Sequence, residues 1–271
     1  MTVLSRTAVA PVDPLAAVCP GQAADLCSPR PWAREADMLP GVIAHRNVLA
    51  PGTTWRAFYE VPGPRGGIVD LVWVRFSRAA LANRPATAGA LDMTAIRTLQ
   101  ALGAGVPSAH LSAYAGVSRG HLTRAVFPRL HEAGWVERVG RSWVGARHYR
   151  SVVTAVVTAE LKRDDWRTAL KQAARHRTAA DASWVVLDAQ RAGAATSARP
   201  SFAHAGVGLA GLALRCNACI GASPQLEVIH PAGTNSSIDV AGRAFFGEQC
   251  LQLALQGTTS GPERPVFGRF L

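Results

Sequence analysis

The stretch Ser151 to Asp188, SVVTAVVTAELKRDDWRTALKQAARHRTAADASWVVLD, constrains the fold of this chain more than any other. Its opening run, Val152 to Val157, is apolar and β-branched and predicts a buried strand. Glu160 and Lys162 stand two residues apart at the end of that strand, so the pleat sends both side chains the same way. Trp166, Ala169, Leu170 and Ala173 then fall at helical spacing, and Ser183 to Asp188 reads as a second strand. The result is a strand–helix–strand unit with a carboxylate and an ammonium group at its mouth, a pair able to bind a metal and a phosphate. The remainder of the chain must supply any partners.

Charge narrows the class of partner. The net charge is +11, carried by 27 Arg and only two Lys, one of them Lys162. A basic surface of this kind favours a polyanion, with nucleic acid ahead of a membrane because no basic amphipathic anchor stands out. A hydrophobic content of 48% excludes disorder over most of the length. Five cysteines, an odd number, do not form a disulfide framework in a chain of 271 residues. Cys216 and Cys219 make one CxxC without a second pair at zinc spacing, and Cys19 and Cys27 are poorly spaced as its partners. Free thiols in a cytoplasmic protein are the expectation, with no signal peptide and no membrane span.

Residues 1–40 hold six of the seventeen prolines and predict an irregular arm, packed through Leu15, Val18 and Trp32. Compact structure is expected from residue 41. Thr53 or Thr54 can cap a short helix with Trp55, Phe58 and Tyr59, ending before Pro62 and carrying Glu60. Ile68 to Phe76, IVDLVWVRF, is a strong strand in which the single acid, Asp70, needs an explanation. It is either paired with an arginine at a strand mouth or functional.

The character changes over residues 87–150. Thr94 to Leu102 predicts a helix, and Pro107 and Ser108 start a second with Leu111 and Tyr114 inward. Gly116 sits in a tight turn, and Ser118 caps a third helix with Leu122, Val126 and Leu130 on its apolar side, ended by Gly134. Trp135 to Val139 and Trp143 to Tyr149 read as a two-stranded wing. The pattern GVSRGHLTRAVFPRLHEAGWVERVG resembles winged helix-turn-helix DNA-binding domains. That resemblance implies that the third helix enters the major groove through Ser118, Arg119, His121, Thr123 and Arg124, with Arg141 and Arg147 on phosphate. Eight Arg against three acids between Ala88 and Arg150 agree with it, although such domains also serve in dimerisation.

Beyond Asp188, Gln190 to Phe202 is helical or irregular, Gly206 to Leu214 a buried strand whose glycines allow close approach, and Gln225 to Ile229 a shorter strand. Ala241 to Leu255 is loosely helical. With residues 87–150 set aside, the order of elements and the spaced Asp70…Glu160-Leu161-Lys162 are similar to the PD-(D/E)xK, restriction-endonuclease-like superfamily. Val69 stands where the family motif has its proline. The resemblance implies a mixed α/β sheet flanked by helices, interrupted by the inserted domain. It implies Mg²⁺ or Mn²⁺ on Asp70 and Glu160, with Lys162 steering the attacking water. Glu60 matches the acid often found on the family's first helix, and Gln172 and His176 share a helix face where some of its nucleases carry Gln and Tyr. Arg167, Lys171 and Arg175 form a stripe on that helix, either a solvated face, paired with Asp164 or Asp165, or a phosphate contact.

The expected organisation is an N-terminal arm (1–40), a first part of the nuclease-like domain (41–86), the winged domain (87–150), a second part (151–256) and a tail (257–271). The expected function is metal-dependent DNA phosphodiester hydrolysis with the winged domain gripping the site. The alternative is a non-catalytic DNA-binding transcriptional regulator on a degenerate nuclease fold. A third, weaker reading is a defence component acting within a complex. Cutting both strands would call for a homodimer.

Overall fold

The computed structural model describes residues 31–107, 110–217 and 221–260. Leu15, Val18, Cys19, Cys27, Ser108, Cys219 and the side chain of Cys216 lie outside the described residues. The strands are β1 (Arg56–Pro62), β2 (Ile68–Phe76), β3 (Val136–Val139), β4 (Ser142–Gly145), β5 (Val153–Lys162), β6 (Ala182–Asp188), β7 (Gly208–Asn217) and β8 (Gly221–His230). The helices are α1 (Glu35–Ala44), α2 (Arg46–Leu49), α3 (Arg78–Ala82), α4 (Met93–Gly103), α5 (Leu111–Ala115), α6 (Arg119–His121), α7 (Phe127–Glu132), α8 (Trp166–Arg177), α9 (Gly193–Ser197), α10 (Arg199–Ala205) and α11 (Val240–Leu255).

Six strands form one mixed sheet in the order β1-β2-β5-β6-β7-β8, and β3 pairs with β4 alone. β1, β2 and β5 run antiparallel, β5, β6 and β7 parallel, and β8 returns antiparallel. The β-branched runs explain the centre, since strands covered on both faces need apolar residues at odd and even positions alike. On one face Leu71, Trp73, Val157, Ala159, Leu161 and Val186 meet Met38, Leu39 and Val42 of α1 and Leu49 of α2. On the other, Val72, Val74 and Val156 meet Phe246 and Cys250 of α11. Val185, Leu187 and Leu209 meet Ala169 and Ala173 of α8 and Phe202 of α10. Each fully buried Val, Leu or Phe contributes about 1.5–3 kcal/mol, so both helical layers are held firmly.

The segment between Phe76 and Val153 joins two antiparallel neighbours, β2 and β5. It builds its own apolar cluster from Ile96, Leu99, Leu111, Leu122, Val126, Leu130 and Trp135. Ser118 Oγ accepts the His121 N–H as a helix N-cap, and Gly116 and Gly134 take positive φ of 71° and 76°. Between α6 and α7, Leu122–Val126 is a π turn in which the Phe127 N–H reaches Leu122 O. Pro128 accounts for it, because its ring crowds the preceding turn and its nitrogen donates nothing.

Several expectations are corrected. Residues 53–61 are not helical: Arg56–Pro62 is β1, paired with β2 from Arg56↔Val74 to Pro62↔Ile68. The sheet edge outweighs a short helix that lacks the length to stabilise itself. Residues 35–40, expected to be irregular, lie in α1, whose buried Met38 and Val42 offset the proline at position 40. Tyr114 points outward at 61% exposure, since Leu111 and Ala115 occupy the inward i, i+4 positions. β8 is longer than expected at ten residues. Among the described residues no helix is long and apolar enough to cross a membrane.

Candidate active site

β5 runs through to Lys162, so Glu160 and Lys162 share one face of the sheet. Antiparallel pairing sets Leu71 opposite Ala159, which brings Asp70 opposite Glu160 one step further along. Residues over eighty positions apart are thereby joined. Asp70 Oδ2 accepts the Leu161 N–H at 2.8 Å. Lys162 Nζ lies 3.7 Å from the same oxygen. It also donates to Leu161 O at 3.1 Å and to Glu35 Oε2 at 3.0 Å.

Glu160 is fully buried, and its oxygens meet no N–H donor among the described residues, only the neighbouring Asp70 carboxyl, with which a proton can be shared. His176 Nε2 is 3.0 Å from Glu160 Oε1, a close contact without hydrogen-bond alignment. Burial, and then the neighbouring Glu160 charge, push the Asp70 carboxyl up to about 7. Burial pushes Glu160 up to about 8 against the opposing pull of Lys162. Burial and then Arg175 bring His176 down to about 4, leaving it neutral near pH 7. Burial alone would lower Lys162, but Asp70, Glu35 and Glu160 outweigh it and hold the ammonium above its ordinary value. Two raised carboxyls side by side compete for charge and hold a proton tightly, and a cation would displace it.

Glu60 stands on β1, not on a helix. Tyr59 pairs with Leu71 and Val61 with Val69, so Glu60 falls opposite Asp70 in the row that leads to Glu160. Its φ of 48° is left-handed and strained for a side-chain-bearing residue. Gln172 lies on α8 one turn before His176, and its Oε1 is buried without a hydrogen-bond donor among the described residues. The His176 ring packs against Gly63, where a Cβ would come within 3.2 Å of it.

The helical acid at the site is Glu35 instead, a residue that no motif in the sequence singles out. Trp32 sets where α1 starts, its backbone N–H donating to the buried Asp188 and its indole to Leu212 O. A usable signal was present: Glu35 and Asp37 precede Met38, Leu39 and Val42 as an acidic first turn precedes an apolar helix face. The surrounding prolines hid it.

Arg167, Lys171 and Arg175 of α8 are all exposed. Asp164 pairs with Arg191 at 2.9 Å and Asp165 caps α8, so neither is committed to that stripe. Arg119, His121, Thr123 and Arg124 are exposed on α6 and the π turn, and Arg141 lies at the β3–β4 tip. The Arg124 guanidinium folds back onto Gly120 O at 3.3 Å. Arg147 follows β4 and donates to Asn83 O at 3.2 Å, which draws it toward the junction with the sheet.

Among the described residues no three His, Cys, Asp or Glu side chains group as a ready metal cage. The donor set still fits a hard divalent cation that keeps several waters, since such an ion needs one or two carboxylates. The buried Glu160 carboxyl beside Asp70, with no N–H donor to its oxygens among the described residues, is the observation that carries the fit. No protein-family profile, curated protein or solved structure matches the chain.

Proposed function

We propose that the chain is a DNA-binding protein with a metal-dependent phosphodiesterase site on the β2–β5 face. The convergence of Asp70, Glu160 and Lys162 from two strands separated by a long insertion carries this reading. The order helix, three antiparallel strands, helix, parallel strand supports a restriction-endonuclease-like core. The helices α4 to α7 followed by the β3–β4 hairpin support a winged helix-turn-helix.

Asp70 and Glu160 would hold Mg²⁺ or Mn²⁺, which when bound offsets charge on phosphoryl oxygens and acidifies a ligated water. Lys162, the cation nearest the pair, orients the attacking water and offsets transition-state charge. Glu35 holds the Lys162 ammonium in place. Neutral His176, itself buried, lies against Glu160 Oε1. Arg175, whose field already reaches Glu160, lies on the exposed stripe that a DNA backbone would meet. Cutting both strands would use two copies of the chain.

A non-catalytic DNA-binding regulator is the second reading, favoured by one observation: the Lys162 ammonium is already engaged by Glu35 and Leu161 O. Incubation with plasmid and Mg²⁺ or Mn²⁺ separates the two. Cleavage should be lost in Lys162→Ala with DNA binding retained, and binding should weaken in Arg124→Ala by roughly the share of one phosphate or base contact. Metal-independent binding without cleavage by wild type, on duplex and single-stranded substrates, would sink the enzymatic reading.

A further inference from the structure

Helix α8 carries four cations, Arg167, Lys171, Arg175 and Arg177, and no acid in its twelve residues. Arg177 is committed, its guanidinium donating to Gly206 O and Thr234 O. Arg167, Lys171 and Arg175 are exposed and stand four residues apart, so they form one row down the helix. Like charges at that spacing oppose a helix, and here two such pairs follow one another. None of the three forms an ion pair among the described residues. The nearest acids in sequence are engaged elsewhere, Asp164 by Arg191 at 2.9 Å and Asp165 by the Thr168 N–H. The helix dipole favours Arg175 in the last turn but opposes Arg167 in the first. An ordinary solvated face would interleave acids with these cations.

The row also brackets the acid pair. At one end the Arg175 guanidinium lies beside the β1–β2 turn, where a Cβ on Gly67 would stand 3.5 Å from it, and its charge acts on Glu160. At the other end, Asp165 feels the charges of both Lys162 and Arg167. Arg65, exposed on the same turn as Gly67, adds positive charge at the Arg175 end. Eight residues of helix rise about 12 Å, which faces three or four phosphates of one strand at about 3.4 Å of axis each. A membrane surface would call for apolar side chains beside the cations, and no exposed large hydrophobic lies on α8. Its Ala169 and Ala173 are buried on Val185 and Leu187, and the Trp166 indole packs on Phe202. A folded protein partner would likewise need an anchor that this row lacks. A linear polyanion fits it.

We propose that Arg167, Lys171 and Arg175 hold the backbone of one nucleic-acid strand through its phosphates, without reading bases. The strand runs along α8 past the Asp70–Glu160 pair. This deepens the reading above by giving the path of the substrate, and rests on it for the class of polyanion; it needs neither metal nor cleavage. An unpaired strand and one side of a duplex present the same phosphate row.

Binding of labelled oligothymidylate and of a mixed-sequence duplex to the full chain, in chelator over a salt series, tests this. Arg167→Gln, Lys171→Gln and Arg175→Gln should each reduce the slope of log affinity against log salt by about 0.7 on the single strand or about 0.9 on the duplex. The probe that shows the reduction identifies the source. Lys171→Arg should keep the wild-type slope. Asp70→Asn should keep it too, so a failed cleavage assay sinks the catalytic reading and leaves the row standing. Lys171→Gln removes both like-charge pairs and should melt no lower than wild type, so weaker binding is not lost folding. Unchanged slopes on both probes, or polyglutamate competing as strongly as a nucleic acid of equal charge, would overturn the proposal whether or not the protein cleaves.

Discussion

Glu160 concentrates the chemistry of the site in one side chain. Its folded pKa of about 8 lies above its ordinary value of 4.5, so between those values the folded chain holds more protons than the unfolded one. Stability from this group is therefore fully present below about pH 4.5 and falls as pH rises toward 8; Asp70, raised to about 7, adds in the same sense. In chelator, Glu160→Gln should lose less stability than wild type between pH 5 and pH 8. Added Mg²⁺ at pH 8 should raise the melting temperature of wild type and leave that of Glu160→Gln nearly unchanged. Parallel pH–melting curves for both proteins with added metal would refute the ligand role. At this scale Asp70, Glu160 and Lys162 were legible because an acid inside an apolar strand has to be accounted for. Glu35 was not, because an acid near a chain arm carries no such cost.

Elements were legible where a pattern ran long. The β2 and β5 strands, α8, α4 and α11 were recognisable from apolar runs or helical spacing, and the boundaries of β6 differ by one residue from expectation. The failures, β1 and α1, were short segments whose conformation is imposed by neighbours: β1 by pairing with β2, α1 by the sheet face beneath it. Glycine placement gives a direct test of how tightly that face is packed. A Cβ on Gly208 would come within 2.2 Å of the Trp184 ring, which packs among Leu49, Met38 and Val186 and whose indole holds Leu49 O. Gly208→Ala should cost about 1–3 kcal/mol in urea unfolding, and more if Trp184 cannot find another rotamer. An unchanged midpoint would mean that α1 and α2 lie loosely on the sheet, and Glu35 with them.

Across the whole molecule, the chain returns to hold the segment between β2 and β5. Glu248 on α11 is fully buried and pairs with the nearly buried Arg84 through contacts of 2.8 and 2.7 Å. It also accepts the Leu91 N–H at 3.0 Å and contacts the Tyr149 hydroxyl at 3.4 Å. One carboxylate thus holds both the entering and the leaving strand of the segment between β2 and β5. Burial, then the Glu248 charge, push the Tyr149 hydroxyl well above its ordinary range, so it stays a neutral donor. Glu248→Ala strands the Arg84 charge and should cost roughly 3–5 kcal/mol. It should also split thermal unfolding into two transitions, the β2–β5 segment melting first and becoming cleavable by protease near residues 84–91. A single cooperative transition at the wild-type temperature would show that the apolar contacts of Ala241 and Ala244 suffice to hold the junction.

The sequence by itself determined what local pattern can encode: a strand–helix–strand unit, an acid misplaced in a strand, a basic helical segment, and the residue types suited to a cation and a phosphate. Periodicity and burial cost act over a few residues and can be read directly. The tertiary structure alone decided which strand pairs with which, and hence that Asp70 meets Glu160. It also decided that Glu35 rather than a helical Glu60 reaches Lys162, and that Glu248 ties together the two ends of the segment between β2 and β5. Those contacts join residues many tens of positions apart, and their energy depends on sheet register and on groups buried together, neither of which is written in any one stretch of the chain.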